Sequence, residues 1–239
     1  MISNKWTRFI FLCTILFCTF PADALSDVIV YDIVAFPGEE VMLKAETRGG
    51  LFKSRGELVE FIVNRRSIGK NLSGSDGFAV KWFVPLTAGL YKINAICGDD
   101  KDSGILLAVG KKTKIVFIDV EGSLLEETFG IRARPGSAKA VQKIQKRFPV
   151  VFLQKGLMGV KAIKLWLKKN DFPLAPVLPW NRGDVFGEIA EKGLKIKAVV
   201  GKPEVIESAE MHKFQAFSFD SMEDAEEVEN WEEVEKKLK

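Results

Sequence analysis

The sequence predicts two domains: an all-β sandwich, then an α/β unit whose parallel sheet carries helices on both faces. Three observations lead there. Residues 27 to 110 alternate short apolar runs with turn residues, the pattern of antiparallel strands. From Lys111 the period changes to strand followed by helix, which implies a parallel sheet covered on both sides. Removing an export signal of 26 residues leaves 213 of 239, enough for two domains of about 100 residues each.

Residues 1 to 26 read as that signal. Lys5 and Arg8 give the positive start, Phe9 to Phe20 an apolar run, and Ala22-Asp23-Ala24 a small-x-small cleavage pattern. The run is short for a membrane span, so no integral membrane segment is expected after cleavage; an uncleaved anchor is the alternative. Cys13 and Cys18 leave with the signal, and Cys97 alone excludes an internal disulfide. The net charge of +3 falls to +2 when Lys5, Arg8 and Asp23 are removed, which is no nucleic-acid footprint. The expected location is exported, in a periplasm or the medium.

In the first domain, strands are expected at Val28 to Val34, Glu40 to Glu46, Glu57 to Val63, Phe78 to Val84, Gly89 to Ile96 and Ile105 to Val109. Turns fall between them at Pro37-Gly38, Gly49-Gly50, Ser75-Asp76-Gly77, Thr87-Ala88-Gly89 and Gly98-Asp99-Asp100. The stretch from Gly56 to Ala95, with its Asp76-Gly77 turn and the segments Ala79 to Pro85 and Ala88 to Ala95, resembles bacterial immunoglobulin-like repeats of exported proteins. The resemblance implies a spacer or a binding surface. Trp82 and Tyr91 read as sandwich core. Asp99, Asp100 and Asp102 are an exposed acidic turn, with a calcium loop as the alternative.

In the second domain, Ile115 to Ile118 is a buried strand. A helix is expected at Ser137 to Arg147, a strand at Pro149 to Leu153, an amphipathic helix at Met158 to Asn170 and a helix at Gly183 to Lys192. A strand at Ile196 to Val200, a helix from Pro203 to Glu210, a strand at Phe214 to Phe219 and a helix at Met222 to Leu238 complete it. In that last helix Ala225, Val228, Trp231, Val234 and Leu238 recur at helical spacing, so it docks by its apolar stripe and leaves its glutamates in solvent.

The chemistry concentrates where the first strand of this domain ends. Asp119-Val120-Glu121-Gly122-Ser123 follows the apolar run, and alternate residues of an extended segment face the same way. Asp119 and Glu121 are thus expected to converge at a sheet edge, where ligands bind in open α/β sheets. The segment is similar to the first motif of the haloacid dehalogenase superfamily. Pro135-Gly136-Ser137 and the stretch Phe172-Pro173-Leu174-Ala175-Pro176-Val177-Leu178 resemble its branch of lipin and yeast actin-patch phosphatases. That resemblance implies a Rossmann-like sheet and phosphoryl transfer through an aspartyl-phosphate. Asp119 would be the nucleophile and Glu121 the acid/base, with magnesium held by Asp119, Glu121 and Glu204 if the site is active. Gln154, Lys155, Arg182 and Lys202 would contact phosphate.

The same comparison marks the losses. Gln154 stands where the family has a hydroxyl, and Lys202 where an acid anchors the metal. The resemblance therefore implies a degenerate site: a weakly active protein or a non-catalytic binding or structural module. Its partner would be a phosphate-containing small molecule or a protein at the cell envelope. An active magnesium-dependent phosphohydrolase is the alternative, and Asp119 as a simple loop cap is another. With His212 the lone histidine, zinc hydrolysis and a Ser-His-Asp triad have little to build on. Trp180 and Arg182 fit either the mouth of the site or ordinary packing.

Overall fold

The computed structural model describes residues 28–49, 52–53, 55–127 and 130–238. The expected export signal lies outside the described residues. The first half is a sandwich of two sheets. Strand β1 (Val28–Val30) and strand β2 (Ile33–Ala35) come from one apolar run that is broken at Tyr31 and Asp32. The break sends the chain from one sheet to the other. β1 pairs antiparallel with β3 (Val41–Gly49), which also pairs with β4 (Phe52–Lys53) and β7 (Phe78–Phe83).

β2 instead pairs in parallel with β9 (Asp100–Ala108). It opens the second sheet, ordered β2-β9-β8-β5-β6, with β5 (Leu58–Val63), β6 (Arg66–Leu72) and β8 (Gly89–Cys97). The sequence reading misses β6, whose polar, exposed residues carry no apolar alternation. Val28, Leu43, Phe61, Ala79, Ile93 and Leu106 fill the space between the sheets. Asp100 and Asp102 lie in β9 itself, and Asp102 Oδ2 accepts from Val30 N at 2.8 Å. That carboxylate is a cross-sheet acceptor on a strand and not part of an exposed turn.

The third sheet has six strands in the order β12-β11-β10-β13-β14-β15, every neighbouring pair parallel. They are β10 (Lys114–Asp119), β11 (Val150–Gln154), β12 (Val177–Pro179), β13 (Lys195–Val200), β14 (Gln215–Ser218) and β15 (Glu226–Glu227). Helices α1 (Ser137–Gln145), α2 (Val160–Lys169) and α5 (Trp231–Lys237) cover one face through Val141, Ile163, Trp166 and Trp231. Helices α3 (Asp184–Glu191) and α4 (Pro203–Glu207) cover part of the other through Phe186, Ile189 and Val205. That second core also contains Val34, Leu107 and Val109 from the sandwich, so apolar packing continues from one half into the other.

The sequence-based fold class is corrected here. The molecule is mostly strand, 39% against 23% helix, because its helices are only five to ten residues long. The helix expected from Met222 is reduced to Trp231–Lys237, with Glu226 and Glu227 extended against β14. Asn230 caps its start: the Asn230 side chain accepts from Glu233 N, and the Glu233 carboxylate accepts from Glu229 N one residue before the cap.

Ion pairing ties the halves together. Asp32 is buried at their junction and accepts hydrogen bonds from Ile105 N at 2.8 Å and Val177 N at 2.7 Å. It also accepts one from Lys164 Nζ at 2.6 Å. Lys164 donates in addition to Val30 O at 2.9 Å. Burial raises the Asp32 carboxyl above its ordinary value, against the pull of the Lys164 charge. Among the described residues no helix is long and apolar enough to cross a membrane.

Candidate functional site at the end of strand β10

β10 lies in the middle of the parallel sheet between β11 and β13, where chain connections depart in opposite directions and a crevice is left at the carboxyl edge. The chain leaves β10 in a single π-helical turn, Val120–Leu124, capped by Asp119, whose Oδ1 accepts from Gly122 N at 3.0 Å. Ser123 Oγ closes the turn on Asp119 O at 2.6 Å. Trp231 Nε1 and Arg134 Nε both donate to Ser123 O, at 3.0 and 3.2 Å. The turn is thus fixed from the sheet and from α5.

Gly122 is required by close approach: a Cβ there would overlap the Asp119 carboxylate and stand 2.8 Å from Lys202 Cγ. Gly201 plays the same part on the other side, where a Cβ would lie 2.9 Å from Asp119 Cβ. The Asp119 carboxylate sits in this glycine-lined slot, 0% exposed, with Lys202 N at 3.5 Å from Oδ2. Desolvation raises its pKa. The Gly122 N–H, the Lys155 charge and the Lys202 N–H oppose the shift, while the Glu121 charge adds to it.

Glu121 and Asp119 line the same cavity but engage different hydrogen-bond partners. The π turn swings the Glu121 carboxylate toward the loop after β11, where it accepts from Gly156 N and, at 3.0 Å, from Met158 N. Gln154 turns back onto Gly156 O at 2.9 Å. Lys155 Nζ pairs with Glu204 at 2.6 Å and lies 5.3 Å from the centre of the Trp180 ring. That ion pair holds the exposed Glu204 carboxyl below its usual range. Asp119, Glu121, Lys155 and Lys202 share a cavity of about 350 Å³ with Leu125, Ile131, Leu157 and Met158. Gln154, Arg182 and Glu204 are not in its wall. Arg182 lies in the left-handed turn before α3, with φ of 56°.

The donor set does not suit magnesium, which takes oxygen ligands in an octahedral shell. Glu121 is committed to two amides, Glu204 to Lys155, and Lys155 and Lys202 bring positive charge to the same cavity. Among the described residues there is no group of three or more His, Cys, Asp or Glu able to hold a metal ion.

The sequence reading also misplaced one aromatic and missed the junction pair. Trp82 is 58% exposed on the outer face of β7, not in the sandwich core. β7 carries apolar residues on both faces, Ala79 and Phe83 beside Lys81 on one and Phe78, Val80 and Trp82 on the other, so alternation alone pointed the wrong way. Tyr91 does pack against the core, edge-on to Phe83 at 5.7 Å. Asp32 and Lys164 were overlooked, although a single acid inside an otherwise apolar run was the available signal.

No family model matches the chain, and no curated protein matches it. Among solved structures it is similar over 34% of its length to invasin, a bacterial integrin-binding protein, at 17% identity and a TM-score of 0.30. Over the same share it is similar to fibronectin(III)-like modules of CbhA from Clostridium thermocellum, at 19% identity and a TM-score of 0.26, covering 94% of that chain. A carbohydrate acetylesterase from Xanthomonas citri is similar over 86% of this chain and 71% of that one, at 8% identity and a TM-score of 0.36. The chain spans only 18% of the invasin chain and 57% of the D0-D1 domain of intimin.

The neighbours described are immunoglobulin-like, fibronectin-III-like, invasin and intimin domains and a carbohydrate esterase, with no haloacid dehalogenase-like structure among them. The assignment to that superfamily, with its Rossmann-like and phosphatase-like designations, is therefore corrected. It rested on the motif from Asp119 to Ser123, the segments Pro135 to Ser137 and Phe172 to Leu178 and the order of strands and helices; in the structure Asp119 caps a turn and Glu121 anchors a neighbouring loop.

Proposed function

We propose that the protein is an exported, non-catalytic binding or structural module. The observation that carries this reading is the commitment of the two candidate catalytic acids. Asp119 is sealed under the π turn, and Glu121 is held by the amides of Gly156 and Met158. A nucleophile needs an open line to its target, and an acid/base partner needs to reach the same atom. Asp119 has no exposed surface and its Oδ1 is engaged by Gly122 N, while both Glu121 oxygens are engaged by amides, which supports a site that is not set up for this chemistry. Lys155 and Glu204 neutralise each other across the edge of the same crevice, which fits a fixed scaffold.

Export rests on Lys5, Arg8, the Phe9 to Phe20 run and Ala22-Asp23-Ala24. The catalytic part of the reading is tested by incubating the purified protein with p-nitrophenyl phosphate and magnesium. No turnover is expected. Hydrolysis that disappears in Asp119→Asn would overturn it. Export is tested separately, by N-terminal sequencing of protein recovered from outside the cytoplasm. A start close to Leu25 or Asp27 is expected, and an intact Met1 would count against it.

A further inference from the structure

A second cavity, of about 580 Å³, lies beside β12, the edge strand of the parallel sheet, between helix α2 and strands β8 and β9 of the sandwich. Its charged lining is four lysines, Lys92, Lys161, Lys164 and Lys168, and three aspartates, Asp32, Asp102 and Asp171. Lys164 is committed to Asp32 at 2.6 Å, and Asp102 accepts from Val30 N at 2.8 Å. Lys92, Lys161 and Lys168 form no ion pair with another described residue. Lys161, Lys164 and Lys168 share one face of α2, being three and four residues apart.

These lysines belong to a strongly polarised sequence. From Thr128 to Asn170 there are eleven Lys or Arg and no Asp or Glu. From Asp220 to Glu235 there are nine Asp or Glu and no Lys or Arg. The fold carries the two stretches to opposite ends of one sheet. α2 packs on β12 at one edge, while β15, made of Glu226 and Glu227, is the other edge and α5 follows it. Near β15, Glu227, Glu229 and Glu232 line a shallow polar depression with Asn230, Glu233 and Lys236. Glu233 is taken by Lys237 at 2.7 Å. Glu227, Glu229 and Glu232 are exposed and form no ion pair with another described residue.

Where the two stretches meet inside one molecule they pair: Lys143 and Arg147 hold Glu235 at 3.2 and 3.3 Å. Their outer members are too far apart to do so. With six strands in the sheet, its edges stand about 24 Å apart at about 4.8 Å per step. That is well beyond the screening length of about 8 Å at physiological ionic strength. Each end therefore keeps its charge for a partner, and each is the complement of the other.

We propose that the acidic edge at β15 and α5 of one copy docks on the lysine-lined cleft beside β12 of another, so that the protein assembles head to tail. Strand addition is not the means, because Asp32 accepts from Val177 N and occupies the outer edge of β12 there. The contact is made by side chains: Lys161 and Lys168 of one copy face Glu229 and Glu232 of the next. Docking also covers Leu165 and Leu174, each 61% exposed in the lining of the cleft. Since the two patches differ, every bound copy still offers one of them, and the contact repeats in one direction. The Asp119 cavity takes no part in it.

Sedimentation velocity of the purified protein at rising concentration tests this, in about 0.1 M and about 1 M sodium chloride, between which the screening length falls from about 10 to about 3 Å. At the lower salt the mass is expected to grow past two chains, and at the higher salt association weakens by about tenfold or more. The double variant Lys161→Gln with Lys168→Gln is expected to stay monomeric at the lower salt, and so is Glu229→Gln with Glu232→Gln. Mixed in equal amounts, the two variants form a dimer and stop, because each pair holds one intact edge and one intact cleft. Unchanged thermal melting verifies that both fold. A parent that is monomeric at both salts overturns the proposal, as does one that stops at a closed dimer. So does association that either double variant leaves unchanged or that salt strengthens. A monomeric parent that binds poly-glutamate through Lys161 and Lys168 overturns it in favour of an outside acidic partner.

Discussion

Lys164 Nζ lies 2.6 Å from Asp32 Oδ1, one residue from the helix α2 and the other from the break between β1 and β2. The side chains are 18% and 1% exposed. A carboxylate so placed is tolerated because three donors surround it, and removal of one partner strands the other charge away from water. Asp32→Ala is expected to lower stability by about 3–5 kcal/mol at neutral pH, measured by guanidinium denaturation. A loss below about 1 kcal/mol would mean that the junction relaxes and hydrates Lys164.

The pH dependence of stability has a definite sign at Asp119. Burial lifts its carboxyl above the ordinary value of 3.8 in the folded protein. A group raised in this way contributes stability that is complete below its unfolded pKa and is lost as pH rises through the folded one. Asp119→Asn, which keeps an acceptor for Gly122 N, escapes that loss. The variant should match the parent at about pH 3 and exceed it increasingly toward pH 7. Thermal melting across this range decides the matter, and a pH-independent difference would contradict it.

Glu121 is expected to act as a loop anchor. Glu121→Ala removes the acceptor for Gly156 N and Met158 N and should cost about 1–3 kcal/mol. The sharper readout is amide hydrogen exchange. Gly156 and Met158 should exchange faster while the amides of β10 and β11 keep their protection.

Trp231 fixes the C-terminal helix. Its ring is fully buried, lies 5.8 Å from Phe219, and its Nε1 donates to Ser123 O at 3.0 Å. Trp231→Ala should cost about 3–5 kcal/mol and loosen the π turn through the lost Ser123 contact. Substituting the exposed Glu232 by Gln should change stability by less than about 0.5 kcal/mol. Denaturation midpoints separate the two outcomes.

Much of the local structure is legible in the residues. Ile115 to Ile118 and Ile196 to Val200 are apolar runs too short for helices, and both lie in buried strands. Pro203 opens α4 at the first turn, where its missing N–H is harmless. The unread strands are short or polar: β6 is polar and exposed, β15 consists of two glutamates, and β4 and β12 are only two and three residues long, too short for a period to show. The site was misread for a different reason. Alternation puts Asp119 and Glu121 on one side only while the backbone stays extended, and it leaves β geometry at Val120, where the π turn begins. A strand-edge motif records which residues are present and says nothing of the turn that aims them.

The apolar packing that joins Val34, Leu107 and Val109 to Phe117, Phe186 and Leu194 bears on how this chain can be cut and recombined. Beads on a string can be excised singly because each bead owns its interior. Here a scission after Gly110 would strip Val34 and Val109 of their covering and leave the far side of β10 bare. Each fragment would carry an adhesive patch. Neither half is therefore a portable cassette, and grafting either one onto another scaffold would require repainting that shared seam with polar residues.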